Sequence, residues 1–234
     1  MGVGTLLKGV IWPLASLLAV NSVPTAMAGG LDGDFRIWNE YKLTGYSRDR
    51  WTTFTWAEAR SVDDASQVGL WLLQQKAYRT LSERLILGIG ASVLDAKQSS
   101  GGWNSQSRLE LELNPRWQLG NNSIVALRNR VELRSLESLD YPERLVSRHR
   151  ITWARSIQGS QRLRRIEISE ELFYDFKSGR INESRFRPAN LFFSVGRRTW
   201  ANVFTQLRSR RHPNGGNWEH GFILGFGLRM RPWR

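Results

Sequence analysis

Between Trp103 and Trp117 the chain alternates residue by residue. Trp103, Ser105, Ser107, Leu109, Leu111, Leu113, Pro115 and Trp117 take one parity, and Asn104, Gln106, Arg108, Glu110, Glu112, Asn114 and Arg116 take the other. Successive side chains of a strand point to opposite faces, so this segregation predicts a long strand with one apolar and one charged face. The pattern recurs downstream. Val125, Leu127, Val131 and Leu133 oppose Arg128, Arg130, Glu132 and Arg134; Leu145, Ile151, Trp153 and Ile157 oppose Arg148, Arg150 and Thr152. Ile166, Ile168, Leu172, Tyr174 and Phe176 oppose Arg165, Glu167, Ser169, Glu171 and Asp175. In the last segment Trp218, Phe222, Leu224, Phe226, Leu228 and Met230 share a face, and Glu219, Gly221, Gly225, Gly227 and Arg229 share its opposite. Less segregated strands are expected over 35–46, 51–60, 67–79, 84–96, 185–197 and 200–210, where both faces carry apolar residues.

Short turns near 47–50, 80–83, 118–122, 158–162 and 198–199 alternate with longer connections near 61–66, 97–102, 136–143, 177–184 and 211–216. That rhythm is the one of an outer-membrane barrel, with tight turns at one rim and longer loops at the other. The segments number eleven. A closed antiparallel bacterial barrel needs an even number, so the expectation is an all-β antiparallel transmembrane barrel of ten or twelve strands with a polar, Arg- and Glu-lined interior.

The alternative is a soluble lipocalin-like barrel, which hides its aliphatic face inside. Strand length separates the two. Trp103 and Trp117 are separated by ~48 Å along an extended strand, or about 34 Å of height at a tilt near 45°, which suits the two aromatic girdles of a bilayer. Residues 1–28 read as a secretory signal: Lys8 is the only charge, an apolar run extends from Gly9 to Val20, and Ala26-Met27-Ala28 supplies the cleavage site. The barrel would then occupy 29–234, in the bacterial outer membrane.

Composition narrows the chemistry. The chain has 234 residues, 24% charged and 11% aromatic, too rich in large side chains for a disordered segment. A mean hydropathy below zero excludes a helical membrane bundle. With no Cys and three His, thiolate metal sites, disulfides and His-rich zinc clusters are excluded, and no cofactor is implied. The net charge of +13 asks for an anionic partner. Export argues against nucleic acid, leaving outer-membrane lipid and lipopolysaccharide, or a small anionic solute. Arg48, Arg50, Arg60, Arg79, Arg180, Arg185, Arg197, Arg198, Arg208, Arg210 and Arg211 are read as turn, loop and strand-end positions that would meet lipid phosphates.

The final strand, with Gly225 and Gly227 between Phe226, Leu228 and Met230, resembles the C-terminal signal read by the barrel-assembly machinery, a further expected partner. Trp38-Asn39-Glu40-Tyr41, EELFYDF at 170–176 and FFSVGRR at 192–198, with the repeated strand-turn-strand units, resemble the DUF2490 family of exported β-barrel proteins. The resemblance spans the chain beyond the signal and implies a barrel, without an assigned activity.

Two sites are candidates. The first is the lumen, lined by Arg108, Glu110, Glu112, Arg116, Arg128, Arg130, Glu132, Arg134, Arg148, Arg150, Arg165, Glu167 and Glu171, with Asp175 on the same face. Eight arginines against six acids nearly balance. The lumen is therefore either a small anion-preferring channel, with room left by Gly88, Gly90, Gly225 and Gly227, or an interior plugged by ion pairs. The second is a lipid-facing patch. Ser147 and His149 share a parity, and a tight turn at 158–162 would set Glu170 opposite His149. Hydroxyl, imidazole and carboxylate together form a nucleophile, its base and the group that orients the base. The patch resembles that of outer-membrane lipases and lipid A deacylases, in reversed Ser-x-His order. Asn202, His212 and His220 carry no assignable arrangement.

Overall fold

The alternating segments close on themselves. The computed structural model describes residues 33–97, 102–136, 143–211 and 218–231; the signal-like residues 1–28 and His212 lie outside them. Eleven strands run in chain order: β1 (Phe35–Arg48), β2 (Trp51–Val62), β3 (Gln67–Ser82), β4 (Leu85–Lys97), β5 (Trp103–Leu119), β6 (Ser123–Leu136), β7 (Glu143–Ser156), β8 (Leu163–Asp175), β9 (Arg180–Gly196), β10 (Thr199–Arg211) and β11 (Trp218–Met230). Each pairs antiparallel with its sequence neighbours, and β1 pairs with β11 to complete the barrel.

The closing pair is parallel, running from Phe35 opposite Phe222 to Leu43 opposite Met230. This corrects the expected ten or twelve strands. An up-and-down chain with an odd strand count must send its first and last strands in the same direction, so a parallel seam closes what an even count would close antiparallel. β1 consequently starts at the rim that carries the 63–66 turn, and β11 ends at the opposite rim.

Local chemistry sets the turns. Asp49 and Arg50 both take left-handed φ, 52° and 67°, the backbone of a two-residue hairpin whose twist matches that of its strands. Pro188, which has no N–H for the ladder, falls at the irregularity of β9, where the register shifts between Thr205/Leu207 on one side and Glu167/Ser169 on the other.

The barrel is apolar outside and charged inside. Leu109 and Leu111 are 62% and 61% exposed on the outer wall, whereas Glu132 and Glu171, on the inner wall, are 0% and 1% exposed. The inner wall also carries Trp38, Phe54, Leu72, Phe173, Phe192, Phe204 and Ile223, all buried. Charges dominate the inner face of β5–β8, whereas β1–β3 and β8–β10 carry inward rings interspersed with further charges such as Glu40, Glu58, Lys76 and Arg187.

Candidate functional sites

The inward side chains of β5–β8 form one continuous ion lattice. Arg130 reaches Glu112 at 2.6 Å, Glu132 at 3.0 Å and Glu110 at 3.3 Å. Arg148 binds Glu132 at 2.6 Å and Glu171 at 3.0 Å. Arg134 adds a 2.6 Å bond to Glu132, Arg150 a 2.8 Å bond to Glu171, and Arg128 also pairs with Glu171. Arg108 donates to Gln106 at 2.6 Å and lies 4.0 Å from Glu132. The remaining members sit nearer the rims: Arg165 pairs with Glu167 at 2.8 Å, Arg144 pairs with Asp175, and Arg116 donates to the backbone carbonyl of Glu83 at 2.7 Å. Glu110, Glu112, Glu132 and Glu171 each meet two or more cations, an arrangement that offsets the desolvation of the carboxylates.

The lattice extends across β4 because β4 presents almost no side chain there. Lys76 and Tyr78 on β3 pass over Gly90 and Gly88 to reach β5: Lys76 Nζ lies 2.7 Å from Glu110 and 2.5 Å from Glu112, and Tyr78 Oη donates to Glu112 at 2.6 Å. A Cβ on Gly88 would come within 2.3 Å of the Tyr78 ring. Gly225 and Gly227 are filled in the same way, by Phe204 and Asn202. The four glycines read as open room on one wall are instead the seats of neighbouring side chains.

Cations also stack on the inward rings. Arg60 lies 3.9 Å from the centroid of Trp38, Arg187 3.6 Å from Phe204, Arg148 4.4 Å from Phe173 and Arg229 4.5 Å from Phe192. Arg60, Arg185 and Arg208, expected at turns or strand ends facing lipid, thus point into the barrel; Arg208 and Arg185 share Glu183. A cavity of about 230 Å³ remains in the interior, bordered by Trp38, Lys42, Glu58, Arg60 and Arg185 and, on the lattice side, by Glu110, Arg130 and Arg148. The Trp38 Nε1 beside it has no protein partner, and a polar void of this size holds water.

On the outer wall, Ser147 and His149 do come together. His149 Nε2 lies 3.2 Å from Ser147 Oγ. The predicted third member does not join them. The turn between β7 and β8 is wider than assumed, spanning 157–162 with Leu163 N bonded to Ser160 Oγ, and it shifts the pairing so that His149 faces Leu172 and Glu170 faces Ile151. Glu170 instead accepts from Ser184 Oγ on β9. The partner of His149 lies on the other side: Asn129 on β6, in direct register with it, places Oδ1 3.0 Å from His149 Nδ1. Asn129 Nδ2 in turn donates to the Leu113 carbonyl at 3.2 Å. Nothing in the sequence pattern marks Asn129 except its parity, which matches that of Val131 and Leu133.

Among the described residues no group of His, Cys, Asp and Glu is arranged to hold a metal ion. No family model and no curated protein matches the chain. Among solved structures it is similar to the crystal structure of the beta domain of the Bordetella autotransporter BrkA, with a TM-score of 0.48 and 12% identity over 83% of this chain and 96% of that chain.

Proposed function

We propose that the protein is a bacterial outer-membrane barrel whose interior is sealed by its ion lattice, so that it serves the envelope as a closed structural element and presents its chemistry on the lipid-facing wall. The outer surface supports the membrane placement. Leucines, isoleucines and valines 40–60% exposed recur on β3–β7, a continuous apolar area far above the few hundred Å² that a water-soluble monomer carries.

Their vertical extent fits a bilayer. An outward apolar band about 25 Å tall spans roughly ten residues of a strand tilted near 45°. Counted from the strand ends at the rim of short turns, the eleventh to thirteenth residues include Trp71 on β3, Asp95 on β4, Ser107 on β5 and Tyr174 on β8, so amphipathic or polar side chains mark the upper edge. Trp51 and Trp117 mark the lower edge, and Trp103 stands above the band rather than at its edge. In this reading the short turns are periplasmic.

The observation that carries the seal is Glu132, 0% exposed on the inner wall and bound by Arg130, Arg134 and Arg148. A continuous water path past Glu132 would wet its carboxylate, which is closed off on every side. Reconstituted in planar bilayers, the folded full chain is expected to be electrically silent. A steady anion-biased conductance that falls on Arg128→Ala plus Arg130→Ala would replace the sealed barrel with a channel.

A further inference from the structure

The geometry points to a lipid acyl hydrolase centre on the outer wall, with Ser147 as nucleophile, His149 as its base and Asn129 as the positioning residue. Protons fix the roles. Asn129 Nδ2 donates to the Leu113 carbonyl, which turns Oδ1 toward His149 Nδ1. An amide oxygen only accepts, so Nδ1 carries the proton and Nε2 keeps its lone pair. That lone pair faces Ser147 Oγ at 3.2 Å, the arrangement needed to remove the hydroxyl proton during attack. A neutral amide orients the base without placing a carboxylate against hydrocarbon, where an ionised group is costly.

Position selects the substrate. Ser147 lies nine residues from Ser156, the short-turn end of β7. That is about 22 Å up a band about 25 Å tall, just below the upper edge where acyl esters begin. Beside it on the outer wall runs a groove of about 510 Å³ lined by Leu73, Val93, Leu109 and Leu133 over Ala91 and Ser107. Leu133, at the β6 end of the groove, is two residues from Val131, the cross-strand partner of Ser147, so an apolar trough suited to an acyl chain ends one strand away from the hydroxyl. Tyr174, the cross-strand partner of Ser147 on β8, brings a phenolic O–H to the same face for the oxyanion.

The reaction balances with water alone as co-reactant. Ser147 Oγ bonds to the ester carbonyl carbon as its proton passes to His149 Nε2. The carbon–oxygen bond to the leaving alcohol breaks, and that oxygen takes the proton from Nε2. Water then attacks the acyl-serine with Nε2 again accepting a proton, which returns to Ser147 Oγ as the fatty acid leaves.

The full chain, refolded and placed in vesicles of phosphatidylethanolamine and phosphatidylglycerol, is expected to release fatty acid and to be labelled at Ser147 by a fluorophosphonate. Ser147→Ala and His149→Ala should each lower release by about a thousandfold or more, while the barrel still shows heat-dependent mobility on gels. Asn129→Leu should lower kcat with little change in KM. Asn129→Asp should restore most of the rate and move the acid limb of the kcat–pH profile upward, because a carboxylate stabilises the imidazolium; a packing role would leave that limb in place. Parallel vesicles containing lipid A identify which acyl ester is taken, and release from either supports the centre. A folded barrel that is unlabelled and releases nothing from both, or undiminished release by Ser147→Ala, overturns it. Because conductance is read separately, the hydrolase and the sealed interior stand or fall independently.

Discussion

A single hydrogen at position 225 decides how the seam packs. Gly225 lies between Trp38 on β1 and Phe204 on β10, its register partners on either side, and both rings are buried. With Ile223 they form a buried apolar cluster, capped by Arg187 over the Phe204 ring at 3.6 Å. A methyl group at 225 would approach that ring to 1.9 Å, which no rotamer shift of an enclosed phenyl ring can relieve. Gly225→Ala is therefore expected to destabilise the barrel by about 1–3 kcal/mol as an overpacking change. Phe204→Ala alone should also destabilise, by leaving a cavity. Combined, the two should cost less than the sum of the singles, because the new methyl occupies space the phenyl vacated. Unfolding midpoints in detergent micelles measure the cycle; strictly additive losses would mean that the two positions do not touch.

At the level of strands, the parallel seam is the feature that sequence pattern could not supply. The segments β5 to β8 were readable because their two faces separate cleanly into Leu, Ile and Val against Arg and Glu. β1 to β4, β9 and β10 were not, because Trp38, Phe54, Phe192 and Phe204 line the interior there and leave both faces apolar. Parity locates a residue on a wall but not beside a particular neighbour. An assumed turn places Glu170 beside His149, whereas the pairing of β6 with β7 brings in Asn129. The rule of even strand number likewise concerns closure, which only the pairing of first and last strands reveals. Because the chain has no cysteine, the seam can be tested by engineered pairs. Tyr41→Cys with Leu228→Cys, and separately Ile37→Cys with Leu224→Cys, should each form a disulfide on mild oxidation, since both pairs are in register and face outward. Only a parallel arrangement satisfies both, as an antiparallel strand that aligned the first pair would carry the second apart. Failure of either pair in a folded barrel would rule out the eleven-strand closure.

Across the whole molecule, the interior resolves a conflict between charge and closure. A barrel of this width must fill its centre with side chains, and a bilayer outside removes any need for the apolar ones to be there. This chain fills it with inward rings and with a lattice in which seven cations, Lys76, Arg108, Arg128, Arg130, Arg134, Arg148 and Arg150, surround Glu110, Glu112, Glu132 and Glu171. The surplus is positive, yet Glu132 at the hub is 0% exposed. On the proposed reading seal and selectivity are separable: packing at Arg130 and Glu132 would close the interior, while the leftover cations would set the preference of any opening made through it. Arg130→Ser together with Glu132→Ser removes one charge of each sign at the hub, so the cation surplus is unchanged, Arg148 keeps Glu171, and Glu110 and Glu112 keep Lys76. The double variant is expected to insert as the parent does and to show a conductance that the parent lacks, with reversal potentials in a salt gradient shifted toward the anion. Raising salt should weaken that preference as the remaining guanidinium groups are screened. A folded double variant that stays silent would place the barrier around Trp38 and Phe204 rather than in the ion lattice.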